Sequence, residues 1–344
     1  MRKAAWVMAL CLLLCGCAGR VELSLMAIAL GIDADETGVT LTVKAPDYSA
    51  AARGEEGQKE YLTLSAHGED WTQAAARLMR EAPLEIRFGQ LREVVVGQGA
   101  RERHLLAELL GWADRLPNVR SHALVILCPG EARDLVEGQQ PVIGKRLSKY
   151  LDLSMQHAQQ QGDIPTTTLA CALRDMTGPW RDPLLTAAEA GAEGVRYEGA
   201  WAVGAGGETT YLSGREVQLF RLLQGEKQAL LVECGGRSFA VEGRGGVERA
   251  VVGDTLRVRL PVTLIYSLYE QAPPPETARV LEEELAALVH KLQQARCDGL
   301  GFGCDAVRQY ARLGDWLASD WPGRYAQARV EVRVEARARQ ERNN

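Results

Sequence analysis

One segment of this chain has the hydrophobicity of a membrane span, and it is too short to be one. Residues 4–15 form an unbroken apolar run of about a dozen residues behind Arg2 and Lys3, whereas a helix needs about twenty to cross a bilayer. No second stretch of that kind occurs. The rest of the chain therefore has to fold by burying separate helix stripes and strand faces around its own cores. A basic start followed by a short apolar run is the pattern of a secretory signal. The run closes on Leu14-Cys15-Gly16-Cys17, which resembles a bacterial lipobox, where small residues precede a cysteine that is lipidated and becomes the first residue of the mature protein. On this reading residues 1–16 are a lipoprotein signal peptide, cleavage falls between Gly16 and Cys17, and Cys17 carries the lipid. The competing reading is a plain signal peptide cut near Gly16 with no lipid.

Removing that segment discards Cys11 and Cys15 and leaves Cys17, Cys128, Cys171, Cys234, Cys297 and Cys304. Beside Cys17 this is an odd number without regular spacing, which does not describe a disulfide scaffold. Cys297 and Cys304 can pair only if the Gly-rich loop between them folds back; the others read as buried thiols. With 344 residues, 46% hydrophobic and 25% charged, the chain has room for two or three ordinary globular domains. The net charge of −5 and the lack of any block of five like charges exclude a nucleic-acid surface built from clustered Lys and Arg.

Periodicity supplies the elements. An apolar run at 27–31 and an alternating run at 39–44 flank Asp35-Glu36-Thr37-Gly38, which predicts a hairpin. A polar loop at 50–60 leads to a strand at 61–65. Asp70 is placed to cap a helix over 71–81. Strand patterns at 91–97 and 123–127 alternate with helical ones at 105–115, 131–137 and 144–157, the order of an α/β domain. Small residues and prolines at 178–194 mark the approach to a second domain, giving an N-terminal α/β region over 17–185 and a C-terminal α/β domain over 195–344. In the latter, strands are expected at 200–203, 230–233, 238–242 and 256–269. Leu281, Leu285, Leu288 and Leu292 then recur at helical spacing, with acids near the start and Lys291 and Arg296 near the end. Residues 328–339 alternate valine or alanine with Arg and Glu, a strand with one wet face.

Chemistry-bearing patterns are scarce. Gly299 to Gly303 (GLGFG) follows a helix instead of a strand, so it reads as a tight turn and not as a dinucleotide loop. His67, His104, His122, His157 and His290 are scattered singly, without metal-ligand spacing. No Gly-x-Ser-x-Gly elbow occurs; a Cys–His dyad, which meets only in space, stays open. Glu282, Glu283 and Glu284 read as a solvated helix start. No catalytic, cofactor-binding or metal site is expected.

In order along the chain, several weak motifs resemble one family, the Ger(x)C lipoproteins that form the C subunits of bacterial spore germinant receptors. Cys17, Glu22 and Leu23, then Gly31-Ile32-Asp33, are similar to its opening pattern, with Ala18 in place of a usual Trp. RFGQLREVVVG at 87–97 resembles a valine-rich segment of the family, with Gln90 where His is common. Residues 199–203 and Leu212-Ser213-Gly214 resemble the start of its C-terminal domain. Lys291-Leu292-Gln293, Asp298, Gly301-Phe302-Gly303, Trp316 and Trp321 follow in the family's order, with Leu313-Gly314-Asp315 where a proline is usual. The resemblance implies a three-domain mixed α+β architecture of mixed sheets flanked by helices, and no enzymatic activity. It also implies a diacylglyceryl anchor on Cys17, the outer face of the spore's inner membrane, and two membrane partners, an A subunit and a transporter-like B subunit. An extracytoplasmic solute-binding lipoprotein of a transporter would share the anchor; a lipid-anchored hydrolase would need a nucleophile–base pair that the sequence does not display.

Overall fold

A computed structural model describes residues 24–47, 61–101, 103–141, 146–191, 194–226, 228–266 and 272–340. The signal segment with Gly16 and Cys17, the family positions Glu22 and Leu23, and the polar stretch at 50–60 lie outside these residues.

The first half begins with β1 (Ser24–Met26), β2 (Ala29–Asp35), β3 (Gly38–Pro46) and β4 (Tyr61–Gly68). Next come α1 (Trp71–Glu81), β5 (Glu85–Arg87), β6 (Glu93–Val96), α2 (Arg103–Asp114) and β7 (Leu124–Leu127). Three helices follow, α3 (Ala132–Gly138), α4 (Leu147–Gln161) and α5 (Leu169–Thr177), and then β8 (Leu184–Gly191), β9 (Gly194–Val203) and β10 (Thr209–Leu212). The remainder comprises α6 (Gly214–Leu223), β11 (Ala229–Cys234), β12 (Arg237–Gly243), β13 (Glu248–Val252) and β14 (Thr255–Tyr266). It ends with α7 (Glu276–Gln294), three short helices α8 (Phe302–Ala306), α9 (Leu313–Leu317) and α10 (Trp321–Gln327), and β15 (Arg329–Gln340).

An eight-stranded mixed sheet runs β10-β9-β8-β7-β6-β2-β3-β4. Its centre, β2, β6, β7 and β8, is parallel, and its two flanks are antiparallel. Parallel strands need both faces covered, and the alternation of core residues shows how this is met. Leu30, Ile32, Val94, Val96, Val125 and Leu127 pack with α1, α2 and α5, whereas Ala29, Val95, Leu124 and Ile126 pack with α3 and α4. The hairpin expected around Asp35 forms, with the Asp35 carboxylate accepting the Thr37 N–H at 2.7 Å. Asp70 caps α1 through the Gln73 N–H at 2.7 Å.

One expectation needs revision. The strand at 39–44 alternates as if one face were wet, yet Leu41, Thr42, Val43 and Lys44 are all buried, because α3 covers the polar side. Residues 178–194 hold the whole of β8, and β8, β9 and β10 hydrogen-bond into the same sheet as β7 on both sides of the expected 185/195 divide. Small residues there are strand residues that let backbones pack closely, such as Ala187 and Ala188, both buried.

The second sheet, β11-β12-β14-β13 with β15 alongside β14, packs under α6 and α7. The four leucines at helical spacing on α7 are all buried there. The Ser213 side chain and Glu216 cap α6 reciprocally, the capping box that Leu212-Ser213-Gly214 carries.

Candidate functional site

The residues that carry the family order near the C-terminal end converge on one buried carboxylate. Asp298 follows α7 and sits under the Gly301-Phe302-Gly303 turn. Its Oδ1 accepts the N–H groups of Gly301 at 3.0 Å and Phe302 at 2.9 Å. Its Oδ2 accepts the Gly303 N–H at 2.6 Å and the Trp321 indole N–H at 3.0 Å. The glycines are needed for this grip. Gly301 holds φ +76, a left-handed conformation, and a Cβ on Gly303 would lie 2.5 Å from the Trp180 carbonyl oxygen. The turn is thus a nest of backbone donors closed on a protein carboxylate, not on a ligand.

Aromatic rings complete the node. Trp316 and Trp321 have centroids 5.5 Å apart, Tyr310 meets Trp316 edge-on at 5.5 Å, and Trp180 stacks on Trp316 at 6.5 Å. The other family positions brace it. Gln293 donates to the carbonyls of Tyr325 at 2.7 Å and Ala328 at 2.8 Å, setting the entrance to β15. Lys291 pairs with Glu216 of the capping box at 2.6 Å.

The node also clamps the segment leading into β8. The Asp298 N–H donates to Asp182 Oδ2 at 2.8 Å, and the Asp182 N–H returns a bond to the Asp298 carbonyl at 3.2 Å. Trp316 donates to the Pro179 carbonyl at 3.3 Å, and Arg181 to the Gly299 carbonyl at 3.0 Å. Beside this clamp opens a cavity of about 280 Å³, lined among others by Pro179, Arg181, Asp182, Trp316, Leu317 and Trp321.

A second polar cluster surrounds the short helix α3, and charged side chains from the sheet hold both its ends. Asp33, of the Gly31-Ile32-Asp33 motif, accepts the N–H groups of Ala132 at 2.6 Å and Arg133 at 2.8 Å. Lys44 donates to the carbonyls of Val136, Glu137 and Gln139 at 3.0, 2.8 and 2.6 Å. An anion at the N-terminus and a cation at the C-terminus both match the helix dipole. Glu93 lies between strand and helix, accepting from Tyr197 at 2.8 Å and from Gln139. Gly97 leaves room for the cap, since a Cβ there would fall 2.0 Å from Asp33 Oδ1. Sequence reasoning missed Lys44, Glu93, Gln139 and Tyr197, because each looks like an ordinary wet-face residue in a strand or turn.

Burial sets the titration of these carboxylates. It pushes Asp298 up to about 7 from the ordinary 3.8, with Asp182 adding to the rise and the donors resisting it. It also raises Glu93 and Asp33. A group whose folded pKa is raised contributes stability that is complete below its unfolded pKa and lost as pH rises through the folded value. Glu216 shifts the other way, held down by Lys291 and Ser213, and its contribution fades only at acid pH. Thermal melts should therefore show the midpoint falling as pH rises from about 4 to about 7, with a shallower fall in Asp298→Asn. A flat or rising midpoint would contradict the assignment.

These groups offer little for covalent chemistry. Both oxygens of Asp298 are engaged, and burial pushes the Cys128 thiol up to about 11, far from a thiolate at neutral pH. Cys297 is buried and Cys304 exposed, and neither forms a disulfide. His67 bonds Thr40, and His290 bonds Gln293. Among the described residues no group of three His, Cys, Asp or Glu side chains is arranged as metal ligands. The acids at the start of α7 are not simply solvated, since Glu282, Glu283 and Glu284 bond Val334, Arg279 and Arg215.

A family model described as the spore germination protein N-terminal domain matches residues 21–190. A second, described as spore germination B3/GerAC like, C-terminal, matches residues 275–341 and so takes in the Asp298 node. A solved structure described as the crystal structure of the GerBC protein aligns with a TM-score of 0.54 at 13% identity, over 91% of this chain and 98% of that one, which is a likeness of fold. No curated protein matches the chain in sequence. Both family models fall in the expected order, one over the sheet that holds Asp33 and the other over the node around Asp298, and the chain belongs to the Ger(x)C family of spore germination proteins.

Proposed function

We propose that this chain is the noncatalytic, lipid-anchored subunit of a spore germinant receptor, acting beside a larger A subunit and a transporter-like B subunit in the response to nutrients. The observation that carries the reading is the use made of the family's residues. Gln293, Asp298, Gly301, Gly303, Trp316 and Trp321 meet in one node whose polar atoms are engaged in holding the fold together, and Lys291 pairs with Glu216 of α6. Such a node suits a rigid body that presents surfaces to partners better than it suits a reaction centre.

Anchoring rests on Gly16 and Cys17. No helix among the described residues is long and apolar enough to cross a membrane. One acyl chain binds a bilayer only marginally, while two hold stably, so a diacylglyceryl group on Cys17 suffices to keep an acidic body beside membrane partners. Cys17→Ala is expected to move the chain from the membrane to the soluble fraction and to slow the nutrient response. Equal membrane retention of both forms would remove the lipid from the reading. The receptor role is tested by deleting the gene in a strain without redundant receptors and following dipicolinate release from spores given nutrients. Release at the wild-type rate with every nutrient tried would rule it out, and neighbouring genes for an ATPase and permease would favour solute uptake.

A further inference from the structure

A groove of about 370 Å³ opens at the amino ends of β6 and β7, between these strands, α4 and the Thr168 cap of α5. That size falls within the roughly 300–1,000 Å³ of small-molecule sites. Leu91, Leu124 and Met155, all buried, give it an apolar floor. Asp152, Gln156 and Gln159 stand at i, i+4 and i+7 of α4 and so share one helix face along it. Main-chain bonds fix the walls. The Arg92 N–H donates to the Ile28 carbonyl at 2.8 Å, and the Arg92 carbonyl accepts the Leu124 N–H at 2.9 Å. The Leu169 N–H holds the Ala123 carbonyl at 2.8 Å, which ties the Thr168 side to the start of β7.

One pair in this groove does not suit a purely structural role. The side chains of Arg92 and Asp152 are 21% and 22% exposed, and Arg92 Nε stands 3.4 Å from Asp152 Oδ1. This is an ion pair without a hydrogen bond, because the Nε–H is buried and has no hydrogen-bond partner among the described residues. An ion pair drawn out of water offsets its desolvation only when it is well aligned and its other hydrogen-bonding positions are filled. Here the guanidinium and the carboxylate lie at one groove wall with that condition unmet.

The charges decide the class of ligand. Among the described residues Arg92 is the groove's one fixed cation and Asp152 its one carboxylate, with His122 as the other titratable group. A lone anion brought to Arg92 would face the Asp152 carboxylate, and a lone cation brought to Asp152 would face the guanidinium. A molecule with a carboxylate and an ammonium on the same carbon meets both. The four charges then alternate around a ring, with no like charges adjacent and no change in net charge.

We propose that this groove binds a small zwitterion, its carboxylate on Arg92, its ammonium on Asp152, and a short aliphatic chain over Leu91, Leu124 and Met155. Such a site would bind alike in a receptor subunit and in a solute-binding lipoprotein, so it stands apart from the choice between them.

The test is isothermal titration calorimetry of the full chain in detergent. The probe is L-norvaline, with pentanoate and butylamine as its single-charge counterparts. Norvaline is expected to bind one to one, about tenfold or more tighter than either counterpart. Asp152→Asn and Arg92→Gln should each weaken norvaline about tenfold or more. Pentanoate should gain affinity in Asp152→Asn and butylamine in Arg92→Gln, changes that mere loss of shape would not produce. Asp152→Asn is nearly isosteric and carries the test if Arg92→Gln disturbs the circular dichroism spectrum. Norvaline that binds no tighter than pentanoate and butylamine overturns the proposal, as does norvaline binding unchanged in a natively folded Asp152→Asn. Absence of binding by all three probes would mean that water alone fills the groove, and it overturns the proposal too.

Discussion

Asp298→Asn is expected to destabilise the folded chain by about 3 kcal/mol or more. The change is nearly isosteric, so the loss would come from hydrogen bonding and not from packing. Both carboxylate oxygens face donors: three backbone N–H groups and the Trp321 indole. A carboxylate accepts all of them, and a carboxylic acid can turn its proton aside while its oxygen still accepts. The amide nitrogen of asparagine carries two hydrogens and accepts nothing, so at least one pair of donors is left buried and opposed. Relaxation is restricted, because Trp321 is packed against Trp316 and Tyr325, and the Gly303 turn lies against the Trp180 carbonyl. Urea unfolding measures the loss, and tryptophan fluorescence reports the node directly. A loss below about 1 kcal/mol would mean that the turn holds its shape without the carboxylate. Because the Asp298 main chain bonds Asp182 and Trp316 bonds Pro179 beside these contacts, the variant should also loosen the lead into β8, seen as faster amide exchange there.

Lys44→Met should cost a similar amount, about 3 kcal/mol, by a different route. Lys44 is 1% exposed, and its ammonium donates to three carbonyls at the end of α3. Methionine fills the volume but removes the ammonium donor from those carbonyls, of which Val136 keeps only the Gln139 N–H, and leaves Glu93 buried without its nearby cation. The seven-residue helix α3 is too short to be stable alone, so amide exchange over 132–138 should rise further than elsewhere. Glu93→Gln removes the stranded charge, so the double variant should lose less than the sum of the two single ones. Simple additivity would show that Lys44 and Glu93 do not share one network.

Much of the local structure was legible in the sequence. The hairpin at Asp35, the helix capped by Asp70, the leucine stripe of α7 and the alternating terminal strand all follow from spacing and turn chemistry, which act over a few residues. The Asp298 node was legible only as an ordered set of residues, Lys291 to Trp321, whose resemblance marks them without saying what they touch. The α3 cluster was not legible at all. Lys44 belongs to a strand whose pattern is that of a half-wet hairpin, and its burial depends on a helix almost a hundred residues later. Strand β8 was not legible for the same reason, since prolines and small residues suit both a linker and a closely packed strand.

By itself the sequence determined many of the elements, the family and the order of the motifs, because periodicity, capping and glycine conformations are properties of short stretches; α5, α6 and β8 went unread. The tertiary structure alone decided which polar residues are buried and whom they bond. That depends on which faces the sheet order β10-β9-β8-β7-β6-β2-β3-β4 brings under cover. A lysine, a glutamate or an aspartate reads the same in sequence whether it is solvated or holding a helix end, and only the arrival of distant backbone groups separates the two.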